Sequence, residues 1–408
     1  MRKIIFLSLL LSPLAVCAQN SAGSVYSMFG IGELKTPVSV QSAGMGFTSI
    51  GMSNPNFVNI VNPAANAIVG GYFSHVFDVG IYLNNTQLKT NSATENVGNG
   101  GISQLSYWFR FNNRWTGLFG LSNFSDVGYN IVDNNVLVSN NNEYSVNYYG
   151  SGGLNNIYFS NSFLITKNLS LGAKFSFIFG NIFKNEVATS AQGSSAFNVE
   201  NSIHIMQLNA DFGLNYLIQR PNHQFNIGLI YDNGTHMDGN TESSISSSDL
   251  EIIYDETEYT NDYFLPQKVG FGTSFRNKKV LVGTDVEFRQ WSKGKLGDEQ
   301  DLKDTWRYSL GLEFTPDFQS QDFAKRMSFR TGAYVENSYL EVSNTSFYRW
   351  GITAGLGIPM PHSGSTINIS YHRKYNGTLK NDLIYESTNE FTLNVSIRER
   401  WFVKSKYQ

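Results

Sequence analysis

The stretch that decides the fold is Met206–Ile218, MQLNADFGLNYLI. Met206, Leu208, Ala210, Phe212, Leu214, Tyr216 and Ile218 hold one phase. Gln207, Asn209, Asp211, Gly213 and Asn215 hold the other. Side chains of a strand point alternately to opposite faces, so this segment is apolar on one side and wet on the other. The alternation returns about fourteen times after residue 70, in runs long enough to cross a bilayer, which takes about 9–11 residues. Leu169, Leu171, Ala173, Phe175, Phe177 and Phe179 oppose Ser170, Gly172, Lys174, Ser176 and Gly180. Phe391, Leu393, Val395 and Ile397 oppose Thr392, Asn394, Ser396 and Arg398. A soluble sandwich has the same period. Long strands with a polar second face nearly everywhere predict instead an all-β, transmembrane antiparallel β-barrel, with lipid on the apolar face and a wet lumen inside.

Composition agrees. The 408 residues carry a net charge of −3, with 15% charged and 14% aromatic residues. This disfavours a disordered chain, and no basic stretch offers a phosphate track for nucleic acid. Residues 1–18 read as a signal peptide: Arg2 and Lys3, the apolar run Ile4–Leu11, and Val16-Cys17-Ala18 before Gln19. That run is too short to span a membrane, so only strands can cross it. Cys17 is the sole cysteine. It leaves with the signal or, in the less favoured reading, carries lipid at the mature N-terminus. The six tryptophans, Trp108, Trp115, Trp291, Trp306, Trp350 and Trp401, lie near expected strand ends. Aromatic rings favour the membrane–water interface there, although any sheet gathers aromatics.

Residues 19–70 differ: they are rich in small residues and Asn, and they lack sustained alternation. Pro63 and the glycines predict a compact, irregular hatch or plug segment with a short helix near 63–68. Residues 71–408 form the barrel, with strands expected at 71–84, 100–112, 115–128, 155–166, 169–185, 199–218, 223–236, 262–276, 279–291, 305–316, 327–338, 348–359, 365–376 and 388–402. Every second connector is tight: 113–114, 166–168, 219–222, 277–278, the longer 317–326, and 361–364. The others, 85–99, 129–154, 186–198, 237–261, 292–304, 339–347 and 377–387, run long and polar. Sorting by parity is what a barrel with short periplasmic turns and long extracellular loops requires. It places the protein in the bacterial outer membrane with both termini periplasmic.

No catalytic pattern, cofactor motif or spaced metal site emerges. Gly30-Ile31-Gly32 lacks a phosphate-loop context, and no serine sits in a G-x-S-x-G elbow. The six histidines lack zinc-site spacing. Asp232, His236 and Asp238 share one expected loop, where a solvated turn is the more common reading than a cation site. Asp285, Glu287 and Arg289 share a phase. On the lipid face a basic residue costs about 2–4 kcal/mol near the midplane, so all three must face the lumen. With Lys174, Gln207, Asn209, Asp211 and Glu313 they form the expected polar lining. They pair with one another, with Lys174, or with Glu313 across the interior. Such a lining contacts cargo or anchors the inner segment, or it is an ion network that fills the barrel; the last is favoured, because lumen charges are common in barrels.

The signal-like N-terminus, Ala43-Gly44-Met45-Gly46, Asn62-Pro63-Ala64 and the fourteen strands resemble the FadL-type outer-membrane transport proteins. Within that superfamily the chain is most similar to the PorV-like branch, including its ending at Glu390–Val403 with Trp401-Phe402. The resemblance implies a barrel of about 14 strands with a hatch in the lumen, shaped by Gly44, Met45, Gly46, Asn62, Pro63 and Ala64. It also implies one of two functions. The first, preferred from sequence, is uptake or passage of small hydrophobic compounds, which calls for an apolar cavity beside the hatch and a kink or gap in the wall. The second is a non-transporting accessory barrel of a secretion or protein-assembly complex, gripping partners through 129–154 and 237–261. The implied partners are outer-membrane lipid and either hydrophobic small molecules or other outer-membrane proteins.

Overall fold

The computed structural model describes residues 23–69, 73–138, 142–190, 195–247, 252–297, 302–361 and 364–400. The signal peptide, Cys17, His362, Trp401 and Phe402 lie outside them. Fourteen strands build the barrel among these residues. The first seven are β1 His75–Lys89, β2 Thr94–Asn112, β3 Trp115–Val138, β4 Asn142–Leu164, β5 Leu169–Ser190, β6 Ser195–Gln219 and β7, His223–Asp232 continued by Thr235–Ser247. The rest are β8, Ile252–Leu265 continued by Lys268–Asn277, then β9 Val280–Arg289, β10 Thr305–Phe314, β11 Ser328–Val342, β12 Thr345–Pro359, β13 Thr366–Gly377 and β14 Tyr385–Glu399. Every neighbouring pair is antiparallel. The barrel closes where β14 pairs with β1, from Tyr385↔Lys89 to Glu399↔His75. β7 breaks at Gly234, whose φ is +75. β8 breaks at Pro266, which has no N–H for a ladder.

All fourteen expected strands are present, but most of the expected long loops are not loops. The stretch 129–154 is largely β3 and β4, and 237–261 is largely β7 and β8. Among the described residues, 292–304 and 377–387 stay mostly irregular, the latter with a short 3₁₀ turn at Lys380–Asp382. The cause is an inversion of the pattern along each strand. In β6, Met206 and Leu208 face outward, 68% and 67% exposed, and Asp211 and Asn215 are buried inward. One step above Met206, Ile205 is buried inward, as is Ile203. β5 does the same: Lys174 and Ser176 face in, then Ile178 and Ile182. The lower wall is apolar outside because lipid covers it. The upper wall is apolar inside because water covers it, as in a soluble barrel. β6 has 25 residues. Crossing a bilayer uses about 9–11, which leaves on the order of 50 Å of strand beyond it. β9 and β10 have 10 residues each, so the raised wall is one-sided.

Aromatics mark both rims, with Phe111–Trp115 stacked at 3.9 Å and Trp350–Tyr375 at 4.2 Å. Trp108 and Trp291 depart from the expected interfacial position: both are fully buried inside. The lipid assignment makes a prediction. Phe212→Arg, outward and nearer the middle of the span, should destabilise the folded barrel in lipid vesicles by about 2–4 kcal/mol, whereas Gln207→Arg, on the lumen side of the same strand, should refold nearly as the parent does. Equal refolding of the two, read by heat-modifiable gel mobility, would refute the assignment.

Candidate functional site

Residues 23–69 run down the barrel interior. Gly23 lies at the raised end, where its N–H meets the Gly128 carbonyl at 2.8 Å. Arg398, near the opposite rim, donates to the Asn56 carbonyl. Ser39 caps the one-turn helix Val40–Ala43. Asn62 Oδ1 accepts from Ala64 N at the start of a 3₁₀ turn, Pro63–Ile68. Inside, Asn59 and Asn66 tie the segment together: Asn59 Nδ2 donates to the Ser49 and Met52 carbonyls, and Asn66 Nδ2 to the Asn59 carbonyl. Regular structure is confined to single turns and a two-residue strand because side-chain amides satisfy much of the backbone in its place.

The segment rests on glycines. Each strand from β5 to β12 turns at least one glycine inward, and the inner segment lies directly on it, in most cases backbone on backbone. A β-carbon on Gly228 would fall 1.9 Å from the Ile50 carbonyl oxygen, and one on Gly272 would fall 2.3 Å from Gly51 N. On Gly311 it would meet the Met45 carbonyl at 2.4 Å, and on Gly332 it would meet Gly46 N at 2.2 Å. Gly172 and Gly355 seat the backbone of Ala64 and Gly44 in the same way, whereas Gly213 and Gly283 face the side chains of Asn62, Pro63 and Thr48. Several pair across the sheet, as in Gly283↔Gly311 and Gly311↔Gly332. No other residue type lets two backbones approach this closely.

Charges hold what the glycines seat. The Asp285 carboxylate accepts from the N–H groups of Ser49, Ile50 and Gly51 at 2.5, 2.8 and 3.2 Å. Glu313 accepts from Gln41 Nε2 and Arg330 Nε, both at 2.7 Å. Lys174 and Lys268 flank Asp211 at 2.7 and 3.2 Å. Higher up, Glu33 of the inner segment pairs with Lys374 and Lys35. Burial opposes the Glu33 charge, but the two ammonium groups outweigh it and hold this carboxyl below the usual carboxylate range. Arg307 and Arg349 meet at Glu336, 3.5 and 3.0 Å away. These groups surround a cavity of about 150 Å³, also bounded by Phe47, Tyr334, Tyr339 and Trp291. Above it the raised wall closes over a packed apolar core of Ile31, Ile182, Ile203, Ile205, Leu296 and their neighbours.

Among the described residues the wall has a gap between β2 and β3. The β2–β3 ladder runs from Asn112↔Trp115 to Gln104↔Ser122 and stops. Above it a cavity of about 390 Å³ opens between Asn99–Ile102 of β2 and Leu121–Asp126 of β3. The inner segment fills part of this opening with a two-residue strand, pairing Glu33↔Asp126 and Leu34↔Ser125. Lys35 N adds a bond to the Phe124 carbonyl at 2.9 Å.

The residues named from sequence fall as follows. Gly44, Met45, Gly46, Asn62, Pro63 and Ala64 all lie in the seated segment, with Gly46 N also donating to Thr353 Oγ1 at 2.8 Å. Lys174, Asp211, Asp285, Glu287, Arg289 and Glu313 all point inward. One expected pairing, Glu287 with Arg289, is present, and the other partners differ. Lys174 and Glu313 each pair within adjoining strands, Glu287 pairs with Arg289 at 2.8 Å, and Asp285 binds backbone. Gln207 bonds Thr235 Oγ1 and Asn209 bonds Asp232 Oδ2, each at 3.0 Å. Asp232 and His236 sit in β7, not in a loop. Asp232 accepts from Gly234 N at 2.9 Å and the His236 ring packs on Phe264, so the expected grouping with Asp238 dissolves. Sequence reading missed the glycine seat, the Glu33–Lys374 pair and Asp126. The seat had a signal: a glycine in the wet phase of consecutive strands.

A protein-family model described as BamG matches residues 1–408, where the sequence resemblance points to the PorV-like branch. A comparison with curated proteins gives no match. Among solved structures, the fold resembles the P. putida toluene transporter TodX at 15% identity and TM-score 0.62, covering 91% of this chain and 100% of that one. The Ralstonia pickettii toluene transporter TbuX gives 15% and 0.63, covering 90% and 99%. A Pseudomonas aeruginosa FadL homologue gives 11% and 0.61, again covering 90% and 99%. The architecture is that of the FadL-type outer-membrane barrels.

Proposed function

The chain belongs to the BamG family, and from that premise we propose that it is a non-transporting accessory barrel of an outer-membrane protein-assembly complex. The family name is in keeping with assembly machinery. The observation that carries the reading is the occluded lumen. Below, backbone rests on backbone at the glycine seat. Above, an apolar core is packed solid. Between them lies a small cavity crowded with ion pairs, a poor route for a hydrophobic solute because desolvating such groups is costly. In this reading residues 19–70 are a fixed plug, the short turns lie in the periplasm, and the raised β3–β8 wall stands outside the cell as a rigid platform for partners.

A second reading, passage of small hydrophobic compounds, draws on the gap between β2 and β3 and on the likeness to the toluene transporters. The cavity beside the plug is mixed: Val38, Val40, Ala43, Phe47 and Tyr339 line it together with the ion pairs. Two measurements separate the readings. The wild-type barrel should be silent in planar bilayers and should leave the membrane in mild detergent with other outer-membrane proteins at fixed stoichiometry. Uptake of toluene-sized probes into liposomes by a barrel that purifies alone would reverse the order.

A further inference from the structure

We propose that the gap-facing edge of β3 above residue 128 is a docking site for an extended strand from a partner outer-membrane protein. The proposal rests on the accessory reading and adds where and how the partner binds.

A strand edge presents a row of backbone donors and acceptors, and unpaired edges recruit further strands. At the gap the two edges differ. On β2, Gly100 N donates to Asn99 Oδ1 at 2.6 Å, so an amide side chain caps it locally. On β3 the lower edge is taken by residues 33–35 of the same chain, and the Gly128 carbonyl by Gly23 N. From Tyr129 to Val138, β3 keeps its ladder to β4 while its other edge carries no strand among the described residues.

Three further points favour a polypeptide over a lipid or a solute as the occupant. Glu33 and Leu34 already pair antiparallel with this edge, so its geometry accepts a strand. Residues 129–138, YNIVDNNVLV, contain none of the lysines or prolines that shield natural edges. Val132 is 56% exposed, although Val favours a half-buried pleated surface. The carbonyls of Phe124 and Gly128 point into the gap, so Asn130 and Val132, in the same phase, offer their N–H and C=O groups there. Strand addition of this kind takes its affinity from the main chain.

The test uses the native complex, extracted in mild detergent. Asn130→Pro and Val132→Pro each delete one gap-facing N–H and leave the β4 ladder intact. Asn130→Thr and Val132→Thr keep the backbone donor and change the side chain. Heat-modifiable mobility confirms folding of all four. The proline variants should lose roughly tenfold or more of the co-purifying outer-membrane subunit, as deletion of main-chain bonds implies, while the threonine variants retain it. A crosslink from Val132→Cys should map to an extended segment of that same subunit. Retention by the proline variants, or equal loss by the threonine variants, overturns the edge proposal and leaves the accessory reading standing. Wild-type protein that purifies with no outer-membrane partner removes both.

Discussion

Gly228→Val and Gly332→Val, combined in one chain, should turn a silent barrel into a conducting one. At Gly228 the new side chain begins 1.9 Å from the Ile50 carbonyl oxygen, and at Gly332 it begins 2.2 Å from Gly46 N. Both obstacles are backbone, which cannot rotate away as a side-chain tip can. Overpacking into yielding surroundings costs about 1–3 kcal/mol per site. Here the surroundings do not yield, so each substitution should sit at or above the top of that range. The strand cannot retreat either, because it is bonded on both sides: Gly332 pairs with Gly311 and Thr353, and Gly228 pairs with Asn215 and Gly272. The inner segment is therefore the part that moves. Planar-bilayer recording should show openings, and proteases should cut within residues 44–62. Gly98→Val is the control, since its β-carbon would have nothing closer than the Asn84 carbonyl at 3.7 Å. A folded double variant that stays silent and protease-resistant would mean that the seat does not hold the segment.

The lower barrel was legible because lipid and lumen impose opposite demands on successive residues. Met206–Ile218 declares both faces within one strand, and β5, β13 and β14 repeat it. Above the membrane those demands reverse. Ile203 and Ile205 occupy the phase that Gln207, Asn209 and Asp211 hold lower down, so a reader following one phase sees the strand end. This is why 129–154 and 237–261 read as loops although they are paired strands. Charged lumen positions were legible for a related reason: Asp285, Glu287 and Arg289 have nowhere else to go. Their partners were not, because partner choice follows register between strands distant in sequence, such as Lys174↔Asp211. The gap was invisible for the same reason. Nothing in the composition of 94–103 or 123–138 says that these two neighbours do not pair.

Asp285→Ala should release the inner segment through loss of acceptors, where the valine variants do so by collision. One carboxylate serves three consecutive amides, Ser49, Ile50 and Gly51. It has room to do so because Gly272 lies opposite, where a β-carbon would stand 2.1 Å from Oδ1. Alanine leaves those N–H groups buried and unmet. Each buried donor without a partner costs about 1–3 kcal/mol, and bonds to a charged group stand at the upper end. Three together predict a loss of several kcal/mol, less whatever water recovers by entering the space. Asp285→Asn keeps one acceptor oxygen and about the same volume, so it should lose clearly less. Hydrogen exchange at the amides of residues 49–51 reads the effect directly. It should be slow in the parent, intermediate in the asparagine variant and fast in the alanine variant. Exchange in step with the strand amides of β9 in all three would mean that the glycine seat alone holds the plug. The order parent, Asn, Ala would instead identify Asp285 as its latch, and would explain why a charge persists in a wall that faces neither water nor a transported solute.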